Sequence, residues 1–215
     1  GGSNTAVGYK ALEANTTASN NTAVGYQAGL SNTTGYDDVY LGNQAGYTSS
    51  TGLGNIAVGS KALFSNTADL NVAIGSTQSA FGIKGALETN TTGSVNVAIS
   101  TGALGLNTTG SNNVAIGYRS LYSNTTSSNN VAVGYQTLYS MSSTGDANKS
   151  TAVGYQAGYT STHNVDAFGS QALYSNTTGI FSVAIGREAL YSNTTASSNT
   201  AVGYQALYDN TTGTG

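Results

Sequence analysis

A single histidine, His163, stands three residues before Asp166, and this pair is where a metal or a general base would first be sought. One imidazole and one carboxylate fall short of the four ligands zinc takes, and they lack the nucleophile of a hydrolytic triad. There is no cysteine, so no thiolate and no disulfide. The nine acidic residues are scattered, and the adjacent pair Asp37 and Asp38 would point to opposite faces of a strand. Glycoside cleavage needs two carboxylates facing each other across a groove. The expectation is a protein that is not an enzyme and holds neither metal nor cofactor. Eight Asn-Thr-Thr triplets, beginning at Asn15, Asn32, Asn90, Asn107, Asn124, Asn176, Asn193 and Asn210, match the glycosylation acceptor pattern. All eight fall at one phase of a repeat, however, and turn chemistry alone explains them, since Asn and Thr side chains bond neighbouring backbone groups.

Charge narrows the partners. Six Lys and Arg against nine Asp and Glu give a net charge of -3 on a chain only 7% charged. Nucleic acid and anionic membranes both require clustered basic residues, so neither is expected as a partner. No run of eighteen apolar residues occurs, so no membrane contact is expected within this segment, and the first residues have neither the basic start nor the apolar stretch of a signal peptide.

These side chains must be positioned by a repeat. Taking as pivot the residue that ends Val-Ala-Val-Gly and its variants, it falls at Gly8, Gly25, Gly42, Gly59, Gly75, Ser100, Gly117, Gly134, Gly154, Gly169, Gly186 and Gly203. Seven of the eleven spacings equal the first, from Gly8 to Gly25, a period too short for a helical hairpin or a propeller blade that fits one coil of a β-solenoid. The expected fold is therefore all-β: one repetitive domain over residues 1–215, built of about twelve 17-residue coils.

Within a coil, the residue before the pivot is always apolar and the residue three before it is β-branched in eleven of twelve units, Asp166 being the exception. Two residues apart on a strand is the same face, so both columns are expected to enter one core. The residue between them is Ala in eleven units, Tyr40 being the other. A column of uniformly small residues on the opposite face implies close packing against another surface. A symmetry-related chain is the simplest one, so Ala6, Ala23, Ala57, Ala73, Ala98, Ala115, Ala132, Ala152, Ala184 and Ala201 are expected at a homo-oligomer interface. A second short strand follows the pivot, with Leu four residues on in eight units supplying the other wall of the core. In three units Gly29, Gly46 and Gly158 stand there instead, and Leu30, Tyr47 and Tyr159 are expected to compensate by shifting one place. The pivot glycines should hold a bend or a positive φ, and Ser100 should be a strained corner. Tyrosines one and five residues after the pivot should stack into two aromatic stripes.

The period breaks twice. An insertion at about residues 76–92 stretches one spacing to 25 and should emerge as a loop without interrupting the stack, and irregular coils span about residues 141–166. Regular coils present the same groups at every level. The unique surfaces are therefore the expected partner-binding positions: Thr77, Gln78, Phe81, Lys84, His163 and Asp166.

The phased tetrapeptides Val72-Ala73-Ile74-Gly75, Val114-Ala115-Ile116-Gly117 and Val183-Ala184-Ile185-Gly186 resemble the head repeats of trimeric autotransporter adhesins over essentially the whole chain. The resemblance implies a left-handed parallel β-roll, three chains side by side as a homotrimer, exposed on a bacterial surface and binding host matrix or other cells. The longer coil and the Asn-Thr-Thr turn look more like the repetitive shafts of bacteriophage tail fibres built on the same roll. The expected function is a non-enzymatic structural or adhesive fibre segment, extracellular on a cell or virion, attaching to a glycan or protein of a target cell. Ice binding by Thr arrays on a β-solenoid is the alternative from another class.

Overall fold

The computed structural model describes residues 1–142 and 149–213. It is a parallel β-solenoid of about eleven turns. Twelve short strands, β1 (Thr5–Val7), β2 (Thr22–Val24), β3 (Val39–Leu41), β4 (Ile56–Val58), β5 (Val72–Ile74), β6 (Val97–Ile99), β7 (Val114–Ile116), β8 (Val131–Val133), β9 (Thr151–Val153), β10 (Val165–Phe168), β11 (Ser182–Ile185) and β12 (Thr200–Val202), form one sheet in sequence order. All neighbours pair in parallel, and equivalent residues of successive coils lie opposite each other, as in Val97↔Val114, Ala98↔Ala115 and Ile99↔Ile116. The strand spacing of a sheet makes the stack about 50 Å long.

The strand faces are the reverse of the expectation. Ala23, Ala57, Ala73, Ala98, Ala115, Ala132, Ala152 and Ala184 are wholly buried in the chain's own core and Ala201 nearly so, while Ala6 in the first strand is exposed. The alanine column is therefore filled from within and is not available to a second chain. The two columns that flank it, Val72 and Ile74 in β5 or Val114 and Ile116 in β7, look outward. The reason is the width of the coil. Its interior must also hold an Asn before the strand, an Ala and a Leu after the pivot and a second Asn in the closing turn, leaving room on the strand for nothing larger than a methyl group.

The segment after the pivot is a tight turn and not a second strand. Two of its residues are left-handed, such as Arg119 (φ +53) and Leu121 (φ +49) on either side of Ser120. The left-handed conformation costs roughly 1–2 kcal/mol per L-residue, while burying a leucine contributes about 1.5–3 kcal/mol, so the strain is offset where Leu reaches the core. The pivot glycines have φ between +125 and +156, and a Cβ on Gly117 would run into the carbonyl of Gly134 in the next coil. Ser100 holds φ +106 at the same corner, as the sequence implied.

Gly29, Gly46 and Gly158 share the left-handed site that Leu occupies elsewhere, with φ between +58 and +60. The residues after them do not shift inward. Tyr40 fills the space beside Gly29 and Gly46, since a Cβ at either would collide with its ring, and Leu138 with Val165 lies beside Gly158. Tyr40 thus takes the alanine place of β3, fully buried, and donates from its hydroxyl to Ser49 Oγ at 2.9 Å.

Two columns of buried asparagines line the interior. In the closing turn, Asn107 Nδ2 donates to Asn90 Oδ1 at 2.7 Å and Asn124 Nδ2 to Asn107 Oδ1 at 2.8 Å, and each also bonds the carbonyl three residues on in its own turn. Asn32, Asn90, Asn107, Asn124, Asn176 and Asn193 of the triplets are wholly buried, so the folded chain offers these amides to turn closure rather than to a glycan. The first Thr of the triplet donates to the next coil, as Thr108 Oγ1 does to Thr125 O at 2.9 Å.

Enlarging the alanine column overpacks the core. Ala115→Leu and Ala132→Leu are each expected to lower stability by about 1–3 kcal/mol, seen as a fall in the urea midpoint, whereas Ser123→Leu and Ser140→Leu should leave it nearly unchanged. Equal midpoints for the two sets would contradict the inward placement.

Candidate functional site

The insertion is a short hairpin standing on the side of the stack. Thr77 N donates to Ser60 O at 3.0 Å, the bond a regular coil makes at this place, and the chain then leaves the coil. Gln78 and Ile83 pair as an antiparallel bridge, closing a 3₁₀ turn (Ser79–Phe81) capped by Gly82 at φ +62. Thr77 Oγ1 donates to Ile83 O at 3.0 Å and ties the base. Ile83 is buried, while Phe81 stands at the tip, 77% exposed.

The return is equally fixed. Glu88 accepts from Gly85 N at 2.6 Å and pairs with Lys84 Nζ at 3.2 Å. Ala86 N then reaches back to Gly75 O at 3.2 Å, and Leu87 supplies the fifth coil's core leucine. β5 and β6 consequently pair in full register across the lengthened coil. This core leucine was hidden in the sequence because its distance from the pivot is not that of the other units.

Under the hairpin lies an open cavity of about 180 Å³ lined by Lys61, Thr77, Ser79, Gly82, Ile83, Lys84 and Glu88. Its one carboxylate is already committed on both oxygens. The Lys61 ammonium sits 5.6 Å above the Phe64 ring and has no carboxylate partner among the described residues. The cavity therefore holds one ammonium, that of Lys61, without a carboxylate counterpart among the described residues, which suits it to a small acceptor or acidic group. It is smaller than the roughly 300 Å³ at which drug-sized pockets begin.

Of the six residues singled out as partner-binding, Thr77, Gln78, Phe81 and Lys84 share this hairpin. His163 and Asp166 lie some four coils further on, about 20 Å along the stack. The His163 ring bonds Thr162 Oγ1 at 2.8 Å, and Asp166 faces outward from β10, in register with Thr151 and Val183. They form no site with each other or with the hairpin, and among the described residues no group of three or more potential metal ligands occurs. Of the irregular stretch from Met141 to Lys149, residues 143–148 lie outside the described part.

Sequence reasoning passed over one unusual group. Asp38 interrupts the asparagine column that precedes the strands. Its neighbours Asn21 and Asn55 each donate from Nδ2 to a carbonyl, Gly35 O at 2.8 Å and Ala68 O at 3.0 Å, whereas a carboxylate has nothing to donate. Asp38 is fully buried. Desolvation pushes its pKa up to about 6, against the hydrogen bonds from Asn55 N and Nδ2 to its Oδ1 that favour the charged form. The signal in the sequence was an acidic residue at a phase where other coils carry mostly Asn.

No family model, no curated protein and no solved structure matches the chain. Its class is that of a parallel β-solenoid repeat protein, defined by its own twelve strands and by the recurring step between hydrogen-bonded equivalents such as Asn107 and Asn124.

Two outcomes follow for these positions. Deleting Thr77 to Lys84 restores the regular spacing and brings Gly85, which adopts left-handed φ freely, to the turn position after Ser76; the variant should unfold at a urea midpoint close to the parent's. Asp38 has a folded pKa above its unfolded value, so its protonated form is bound more tightly in the fold, and stability falls as pH rises from about 4 through about 6. Asp38→Asn should raise stability at pH 7, by on the order of 2 kcal/mol, and flatten that fall; an unchanged pH profile would contradict it.

Proposed function

We propose that the chain is a non-enzymatic fibre segment that lies outside the cell, on a bacterial surface or a virion, and mediates attachment, and that three copies pack side by side to make the shaft. The observation that carries this reading is the outward strand face. Along the stack, Val24, Ile74, Ile116, Val153, Phe168 and Ile185 are each more than a third exposed, with Ile56 and its equivalents beside them. Summed over twelve strands, this apolar strip comes to on the order of 1,000 Å², comparable to the ~800 Å² per partner of a standard protein interface. Soluble monomers rarely leave so long an apolar strip uncovered. A surface repeating at every coil is matched best by another with the same repeat, which favours a second copy of the chain. The number three, the left-handed roll and the adhesive role come from the resemblance of the Val-Ala-Ile-Gly units to trimeric autotransporter heads. The hairpin with Phe81 and the Lys61 and Lys84 cavity is the part that reads a target glycan or protein, because the regular coils offer no unique surface.

The Asn-Thr-Thr turn and the long coil favour a second reading, the shaft of a bacteriophage tail fibre that recognises a host cell.

Light scattering on the purified chain tests the assembly. Three copies are expected, and Ile116→Lys with Ile185→Lys should yield folded monomers of unchanged circular dichroism. A parent chain that stays monomeric or stops at two copies would overturn the trimer. Attachment is read by immobilising the trimer on beads and scoring retention on glycan and matrix-protein arrays, where loss of retention on deleting Thr77 to Lys84 is expected.

A further inference from the structure

Six tyrosines five places after their pivots, Tyr122, Tyr139, Tyr159, Tyr174, Tyr191 and Tyr208, form one unbroken column of rings on the side of the stack. Their successive centroid distances are 5.7, 5.2, 5.2, 5.1 and 5.0 Å, and the planes are within 4 to 11° of parallel. The column runs through the irregular coils: the step from Tyr139 to Tyr159 is longer than the regular period and the step from Tyr159 to Tyr174 is shorter, yet both pairs keep the same 5.2 Å. Ring faces inside the column are occupied by the neighbouring rings, so they are closed to a sugar. The rings from Tyr122 to Tyr208 are nonetheless half-buried rather than enclosed, so solvent reaches them. Neighbouring phenols face each other in near-parallel planes at every level.

We propose that this column is a site of oxidative covalent modification, in which neighbouring coils become joined by dityrosine bonds when a one-electron oxidant is present. Each of two adjacent phenols gives one electron to the oxidant and its hydroxyl proton to water. The two radicals join through a ring carbon ortho to each oxygen. The hydrogen on each of those carbons then moves to the oxygen and restores the phenol. Two tyrosines lose two electrons and two protons in all, and one carbon–carbon bond forms. The fold supplies what the reaction otherwise lacks, two phenols held together without a diffusional encounter. The product ties each coil to the next through a closed loop one coil long, which restricts the unfolded chain and opposes the peeling of coils. The Tyr47 and Phe64 pair stacks at 4.9 Å in the same column position and carries only one phenol, so it is an internal control.

The test uses the full chain and a photo-excited ruthenium complex with persulfate as the one-electron oxidant. After oxidation, the chain is unfolded and cut with trypsin, which separates residues 150–187 from residues 188–215. Tyr174 with Tyr191 is the described ring contact that bridges these fragments. The expected result is a joined fragment two hydrogens lighter than the sum of its parts, with dityrosine fluorescence. In Tyr191→Phe, where the ring remains but the hydroxyl is gone, that fragment should be lost. Oxidation in denaturing urea should lose it as well, in favour of joins between distant fragments. A mixture of chains grown on light and heavy nitrogen distinguishes bonds within a chain from bonds between chains. Absence of the joined fragment, its persistence in Tyr191→Phe, or mixed-isotope species approaching the half of all joins that random pairing between co-refolded chains gives would each overturn the proposal.

Discussion

Every side chain in this stack has its own equivalent as nearest neighbour, one coil above and one below, and that self-contact is the constraint on which the rest depends. A residue type persists in a column only if it tolerates a copy of itself about 4.8 Å away. Asn passes because its amide is donor and acceptor at once, so that Asn124 can give to Asn107 while Asn107 gives to Asn90. Tyr passes by stacking, Ala by being small, Thr by bonding the next carbonyl. A charge does not pass, because its copy repels it. Lys10 is followed by Gln27, Arg119 by Gln136, and Glu188 by Gln205, which donates to it at 2.8 Å. The low charge of the chain follows from this rule of stacking more than from any partner.

The exceptions show the same rule under strain. Tyr40 enters the alanine column only because the coil holding it and the one before carry Gly29 and Gly46, whose missing side chains make the room. Asp38, two residues earlier, breaks the asparagine column and sits with a raised pKa in a place that wants a donor. The insertion obeys the rule differently: it leaves the coil, closes on itself through Gln78 and Ile83, and returns with Ala86 and Leu87 in phase. The hairpin and Asp38 both stand where a column is interrupted.

The period, the strand positions, the parallel stack, the glycine corners and the tyrosine stripes were legible in the sequence, because each is a one-dimensional property of the repeat. The direction in which the strands face was not. Alternation of Val-Ala-Val defines two faces but not which is inner, and the usual association of β-branched residues with the core pointed the wrong way. The deciding information was how many residues the remaining coil also sends inward, namely Ala103, Leu104, Asn96 and Asn107 beside Ala98 in the sixth coil. That is a matter of volume around a closed loop and is not visible in the spacing. The pairing of Tyr40 with two glycines was hidden for a similar reason, since the compensating residues belong to different coils. At the hairpin, the sequence marked the insertion and its exposed residues, while Lys61, which completes the cavity from a regular coil, carried no signal of its own.

The coil-to-coil hydrogen bonds run along the axis of the stack, not across it, and this orientation sets how the molecule bears load. A pull on the two ends meets the bonds of one coil boundary at a time, so they open in succession as a zipper does. A force applied across the stack acts on many boundaries together and is resisted as shear. A single stack is thus soft along its own axis. Stacks gripping each other along their length would convert axial tension into lateral shear, and tensile strength would then belong to the group.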